Sequence, residues 1–160
     1  MAKSGKNRDP NEQAPETALR LLARREHSRL ELTLKLRQRR VDDDVIRRVL
    51  DDFEDRGWLD DGRFAEVFVR QRMDAGYGPL KILADLHQRG IQSAPPELSA
   101  VPEAQWTEMA THLRERRFGL TDISEDWPER QRQGAFLARR GFSGEQVERA
   151  LEARRAEAEG

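Results

Sequence analysis

The chain has 160 residues, with 29 Lys and Arg against 30 Asp and Glu, a net charge of −1 and no cysteine. Disulfides, thiolate metal sites and cysteine nucleophiles are thereby excluded, and no apolar run approaches the roughly 20 residues that cross a bilayer. The length fits one domain or a short array of small modules, and 36% hydrophobic residues make only a thin core. Residues 1–15 are polar and carry Pro10 and Pro15. They read as a disordered tail, because so little apolar surface cannot offset the entropy of ordering. They contain no hydrophobic leader, so a cytoplasmic location is expected.

The rest of the chain reads as helix, with apolar residues recurring at three and four. Glu16 to Arg25 carries Ala18, Leu19, Leu21 and Leu22. Ser28 and Glu31 form an S-x-x-E capping box that opens a helix through Arg39. Asp43 to Arg56 puts Val45, Ile46, Val49, Leu50 and Phe53 on one face, with Asp42, Asp43 and Asp44 at its dipole-favoured N-terminus and Gly57 as a C-terminal cap. Asp60 caps a helix with Phe64, Ala65, Phe68, Val69 and Met73, which stops at Gly76-Tyr77-Gly78. Pro79 then starts a helix with Leu80, Leu83, Leu86 and His87 that ends at Gly90. Residues 91–102, with Pro95, Pro96 and Pro102, allow one short helix at best. Trp106, Met109, Ala110 and Leu113 mark a helix to about Arg117. A loop leads to a helix after Pro128 that ends at Gly141. The last helix opens at Ser143, where Gln146 completes an S-x-x-Q box.

Three segments share one grammar: residues 34–50, 84–100 and 136–151. Leu36, Leu86 and Leu137 align, then Arg39, Arg89 and Arg140, then Val41, Ile91 and Phe142. A helical period of this size predicts tandem modules, each burying its face against the next. The expected boundaries are 16–59, 60–102 and 103–157, after the tail at 1–15.

Charge is segregated. Residues 20–40 hold eight basic residues against Glu26 and Glu31, while residues 42–61 hold nine acids against Arg47, Arg48 and Arg56. Many of these charges sit four apart on helices, where they support one another and need no partner. The 20–40 cluster as a whole would suit an anionic filament or nucleic acid. No phosphate-binding or dinucleotide motif occurs. His27, His87 and His112 lack metal or triad spacing, and His87 is expected on an apolar face. No catalytic residue, metal site or cofactor is expected, nor a small-molecule substrate or a membrane partner. Trp58, Trp106, Trp127 and Tyr77 fall at helix ends. Packing accounts for Trp58 and Trp106, whereas Tyr77 is open to a role as an interface anchor.

Arg56-Gly57-Trp58-Leu59-Asp60-Asp61, Phe64-Ala65, Arg70, Arg72, Gly76-Tyr77-Gly78, Leu83, Leu86 and Arg89-Gly90-Ile91 together resemble the RecX regulatory family. Ala18-Leu19, Leu22 to Ser28, Glu31-Leu32 and Lys35-Leu36 are similar to its opening, and Phe136-Leu137 with Arg140-Gly141-Phe142 to its close. The resemblance covers about residues 16–153. It implies an all-α, elongated and curved array of three-helix repeats. It further implies a non-enzymatic regulator that lodges in the groove of the RecA–single-stranded DNA filament. There it would block extension and damp ATP hydrolysis, strand exchange and coprotease activity. Ala94-Pro95-Pro96 departs from the pattern, where the second repeat should have its third helix. The expected filament contacts are Arg24, Arg25, Arg37, Arg39 and Arg40, then Arg70, Arg72, Tyr77 and Lys81, then Arg139 and Arg140. Contact with single-stranded DNA within or beside the filament stays open. The alternative is direct nucleic-acid binding by tandem helix-turn-helix-like units, which a pI near 6.3 disfavours.

Overall fold

The computed structural model describes residues 9–154. Among them there is no strand, and the helices are α1 (Pro10–Arg24), α2 (Arg29–Gln38), α3 (Asp43–Asp55), α4 (Asp61–Asp74), α5 (Pro79–Gln88), α6 (Pro96–Ser99), α7 (Glu103–Phe118), α8 (Trp127–Arg139) and α9 (Gly144–Glu152). No helix among these residues is long and apolar enough to cross a membrane. The backbone separates into two packed units. One holds residues 9–67 with His87–Ser93, and the other Phe68–Leu86 with 94–154. The helices α4 and α5 therefore contribute to both.

In the first unit α1, α2 and α3 pack pairwise around Ala14, Ala18, Leu32, Leu36, Ile46, Leu50 and Phe53. Burying each large apolar side chain contributes about 1.5–3 kcal/mol. The expected capping box opens α2: Ser28 Oγ accepts the Glu31 N–H at 3.1 Å, and the Ser28 N–H donates to Glu31 at 3.0 Å.

The N-terminal tail needs correction. Residues 10–15 are the first turns of α1, while residues 1–8 of the expected tail lie outside the described residues. Asp9 caps the helix by accepting the Asn11 N–H at 3.0 Å, and Pro10 takes the first turn, where a missing N–H costs nothing. Asn11 clamps the start of α3, accepting the Asp42 N–H at 2.9 Å and donating to the Asp42 carboxylate at 3.0 Å. Ala14 is fully buried. Burial and this two-point clamp offset the ordering entropy that composition alone leaves uncompensated.

On α5 the buried face is Ile82, Asp85 and Leu86. His87, expected on an apolar face, is exposed, and so is Leu80. The stripe runs one residue earlier than expected because Ile82 and Leu86, four apart, share the inward face. Trp58 is 43% exposed rather than packed away: it meets Phe53 edge-on at 5.3 Å beneath Arg56. Trp106 is buried, as expected.

The second unit packs α7, α8 and α9 on one another. Its buried side chains include Trp106, Ala110, Leu137, Phe142, Val147 and Leu151. Ser143 and Gln146 form the expected capping box on α9. The fully buried Arg114 lies on the same α7 face as Trp106 and Ala110. Its Nε donates to Gln133 Oε1 at 2.8 Å, and its terminal nitrogens donate to Ala150 O at 3.1 Å, Ala153 O at 2.8 Å and Thr121 O at 2.8 Å. Two of these acceptors are C-terminal carbonyls of α9, whose dipole offsets the buried cation. The proline-rich segment keeps one short helix, α6, anchored by buried Leu98.

The turn after the second helix of each repeat recurs with one left-handed residue: Arg40 (φ 64), Gly90 (φ 83) and Gly141 (φ 101). Two of these turns receive the first turn of another helix. A Cβ on Gly90 would sit 2.9 Å from Leu30 Cβ, and one on Gly141 would sit 2.6 Å from the Lys81 backbone nitrogen. The third turn also accepts N–H groups from the start of α5: Gly78 N–H to Arg140 O at 2.8 Å and Leu80 N–H to Gly141 O at 2.9 Å. Glycine is required in these two turns by approach as well as by φ. At the first turn an exposed arginine holds the strained conformation.

Candidate partner-binding site

The segregated charge of the sequence is largely neutralised inside the first unit. Arg25 forks onto Glu31 with two contacts of 3.2 Å, and Arg89 approaches the same carboxylate at 3.7 Å. Burial alone would raise the Glu31 carboxyl, but the bonds from Arg25 and the Ser28 N–H outweigh it and hold it below the usual range. Arg37 pairs with Asp43 at 2.9 Å, and Arg29 with Asp51 at 2.9 Å and Glu54 at 2.6 Å. Of the five predicted contacts here, Arg25 and Arg37 are thus tied to acids of the fold. Arg24, Arg39 and Arg40 are exposed without a carboxylate partner among the described residues. Arg39 and Arg40 line an open groove of about 440 Å³ with Arg20, Gln13 and Thr17. Sequence reading counted Arg20 in the basic stretch but did not single it out.

His27 is buried, with Nδ1 3.0 Å from the Arg25 carbonyl and Nε2 3.1 Å from the Lys35 ammonium. The ammonium can only donate, so Nε2 accepts and Nδ1 carries the proton. Burial, opposed by the Arg25 carbonyl and helped by the charges of Arg25 and Lys35, holds the ring below its ordinary pKa of 6.5. It is a structural imidazole. His87 and His112 are exposed on separate helices. Among the described residues no three His, Cys, Asp or Glu side chains gather to hold a metal.

In the second unit Arg72, Tyr77 and Arg140 come together. Arg72 lies over Phe68 at 4.8 Å and over Tyr77 at 5.6 Å, and Arg140 lies over Tyr77 at 5.0 Å. The stack continues through residues that the sequence reading missed. Arg140 also lies over Phe136 at 5.7 Å, Arg117 over Phe136 at 4.9 Å and Phe118 at 5.7 Å, and Arg132 over Phe118 at 5.1 Å. Phe118 and Phe136 meet edge-to-face at 5.4 Å. The result is one alternating ladder of guanidiniums and rings drawn from α4, the Tyr77 turn, α7, α8 and the turn after α8. Each exposed cation–π contact contributes about 0.5–1 kcal/mol. The predicted residues outside the ladder are surface cations: Arg70 and Arg139 are exposed, and Lys81 pairs with Asp85 at 3.5 Å. Arg117 and Phe118 were legible only as the end of a helix, since nothing in spacing tells that they face Phe136 across the unit.

Comparison with known proteins matches this architecture module by module. Residues 14–53 match the first three-helix domain of RecX, 60–94 the second and 103–151 the third. The second match ends at Ala94, where the sequence departs from the repeat pattern. The chain is 45% identical over 144 residues to the regulatory protein RecX of Halorhodospira halophila, covering 89% of each chain. It is 43% identical over 149 residues to that of Stenotrophomonas maltophilia strain R551-3, covering 92% of this chain and 91% of the other. The crystal structure of RecX from Lactobacillus salivarius shares the fold with a TM-score of 0.75 at 23% identity, covering 89% of this chain and 95% of that one. Three matched domains in tandem, and identity of this level along nearly the whole length, place the chain in the RecX family of regulatory proteins.

Proposed function

We propose that the chain binds the RecA–single-stranded DNA filament and inhibits its extension, ATP hydrolysis, strand exchange and coprotease activity, with no chemistry of its own. The observation that carries the reading is the kinship with regulatory proteins named RecX along 89–92% of the chain. The distribution of exposed cations supports it. Arg24, Arg39 and Arg40, joined by Arg20, form the contact surface of the first unit. Arg72, Tyr77 and Arg140, with the exposed cations Arg70, Lys81 and Arg139, form that of the second. Arg25 and Arg37 act within the fold, positioning α2 against its acids. The three helices α1–α3, then α4–α6, then α7–α9 are the modules in this reading, and the site of action is the cytoplasm.

Charge reversal tests the first surface. The triple variant Arg20→Glu, Arg39→Glu, Arg40→Glu is expected to lose inhibition of the DNA-dependent ATPase of the cognate RecA while keeping its helical circular dichroism. Full inhibition by that folded variant would remove the first unit from the contact surface.

A further inference from the structure

In the first unit Arg25, Arg29 and Arg37 are paired with acids. The arginines of the ladder are not. Among the described residues no carboxylate pairs with Arg72, Arg117 or Arg140, and each lies over two aromatic rings instead. The ladder loses its free charge only at one end, where Glu129 takes Arg132 with contacts of 3.0 and 3.2 Å. A ring holds a guanidinium by its face and leaves the N–H edge available, although Arg140 donates one N–H to Ala75 O at 3.4 Å. Tyr77, Phe118 and Phe136 are themselves partly exposed, as are Arg72 and Arg140, and Arg117 is exposed. The surface thus alternates cations with partly exposed aromatic rings.

We propose that the ladder Arg72–Tyr77–Arg140–Phe136–Arg117–Phe118 is a binding track for single-stranded nucleic acid. Guanidinium edges take successive phosphates, and bases lie against the exposed ring and guanidinium planes. An acidic protein segment would use the cations but leave the interleaved planes idle, whereas a single strand uses both. Pre-stacking also fixes the arginine side chains before the ligand arrives, so less rotamer freedom is lost on binding. The inference does not depend on the recombinase reading, because the strand can be offered alone.

The test is fluorescence anisotropy of the full chain with a labelled oligothymidylate of about 20 nucleotides, longer than one typical single-strand site, across a salt series. Each phosphate contact on a single strand contributes about 0.7 to the slope of log K against log salt. The variant Arg72→Gln, Arg117→Gln, Arg140→Gln is expected to bind at least about tenfold more weakly, with a slope shallower by about 2. The variant Arg117→Lys, Arg140→Lys keeps the charge and the slope but loses several-fold in affinity, because an ammonium offers no plane. Arg47→Gln, Arg48→Gln in the first unit, at exposed positions outside either contact surface, leaves the slope unchanged. Arg117→Gln alone, at an exposed position near the end of α7, serves if the triple variant loses helicity, with a slope shallower by about 0.7. Unchanged affinity and slope in a folded ladder variant overturns the proposal. So does ladder-dependent binding of polyglutamate with no binding of the oligonucleotide at low salt, which would assign the track to an acidic protein segment.

Discussion

Replacing Arg114 with methionine is the perturbation that most directly probes how the second unit is held together. The aliphatic stem is preserved, but four acceptors lose their donor: Gln133 Oε1 and the carbonyls of Ala150, Ala153 and Thr121. The bonds to Gln133 and Ala150 are fully buried, and the other two are partly so. A buried acceptor left unpaired costs about 1–3 kcal/mol, and water can reach the partly buried pair at smaller cost. Removing a desolvated cation returns some free energy. The return is small here, because the charge faces carbonyls and the end of a helix dipole rather than a second buried charge. The net expectation is a loss of about 3–5 kcal/mol, as for breaking a buried polar network. Against a typical domain stability of about 5–15 kcal/mol, that is a large share. Urea unfolding followed by circular dichroism, with amide exchange of α7 to α9 to localise the effect, measures it. A lysine at 114 is expected to recover only part, since three donors from one nitrogen cannot reach acceptors set around a planar fork. A methionine variant within about 1 kcal/mol of the parent would refute the reasoning, because it would mean the network adds no more than an ordinary surface contact.

Other consequences concern the first unit and the turns. His27 titrates at 6.5 when unfolded and lower when folded, so between those values the unfolded chain binds more protons and stability falls as pH drops. Unfolding free energies at pH 7.5 and 5.5, above the carboxylate range, should show a slope that His27→Gln reduces; equal slopes would mean the imidazole is not buried against Lys35. Arg40→Gly relieves the left-handed strain that glycine avoids, and after the extra chain entropy of glycine it should raise stability by up to about 1 kcal/mol; a lower melting temperature would contradict this. Gly141→Ala forces a Cβ onto the Lys81 backbone and should cost about 2 kcal/mol or more, read by thermal unfolding, with an unchanged melting temperature as the contrary result. Asn11→Ala removes the clamp on Asp42 and should speed amide exchange in the first turns of α1, leaving α2 and α3 protected.

The helices were legible because their signals are local. Ser28 with Glu31, and Ser143 with Gln146, announce helix starts within four residues, and apolar spacing sets the inward face of α3. The tail failed as a reading for the opposite reason. What orders residues 10–15 is Asn11 meeting Asp42 across 31 positions, and composition carries no trace of it. Arg114 was invisible because hydropathy assigns arginine to the surface, although its place four after Ala110 and eight after Trp106 sets it on the buried stripe. Of the candidate contacts, the type of residue was readable but its availability was not. Arg25 and Arg37 looked like free cations in a basic run, and only the approach of α3 and the capping box shows them paired. Tyr77 between two glycines stood out in the sequence. That Arg72 and Arg140, 68 positions apart, would share its ring is a property of the packed unit.

The most direct measurement is the single-stranded-DNA-dependent ATPase of the cognate RecA, titrated with this protein well below one copy per recombinase, beside its binding to the same DNA alone. Inhibition at those ratios, at DNA concentrations where the naked strand is only weakly occupied, is the predicted result. An ATPase unchanged up to equimolar protein would contradict the assignment of the chain as a filament regulator.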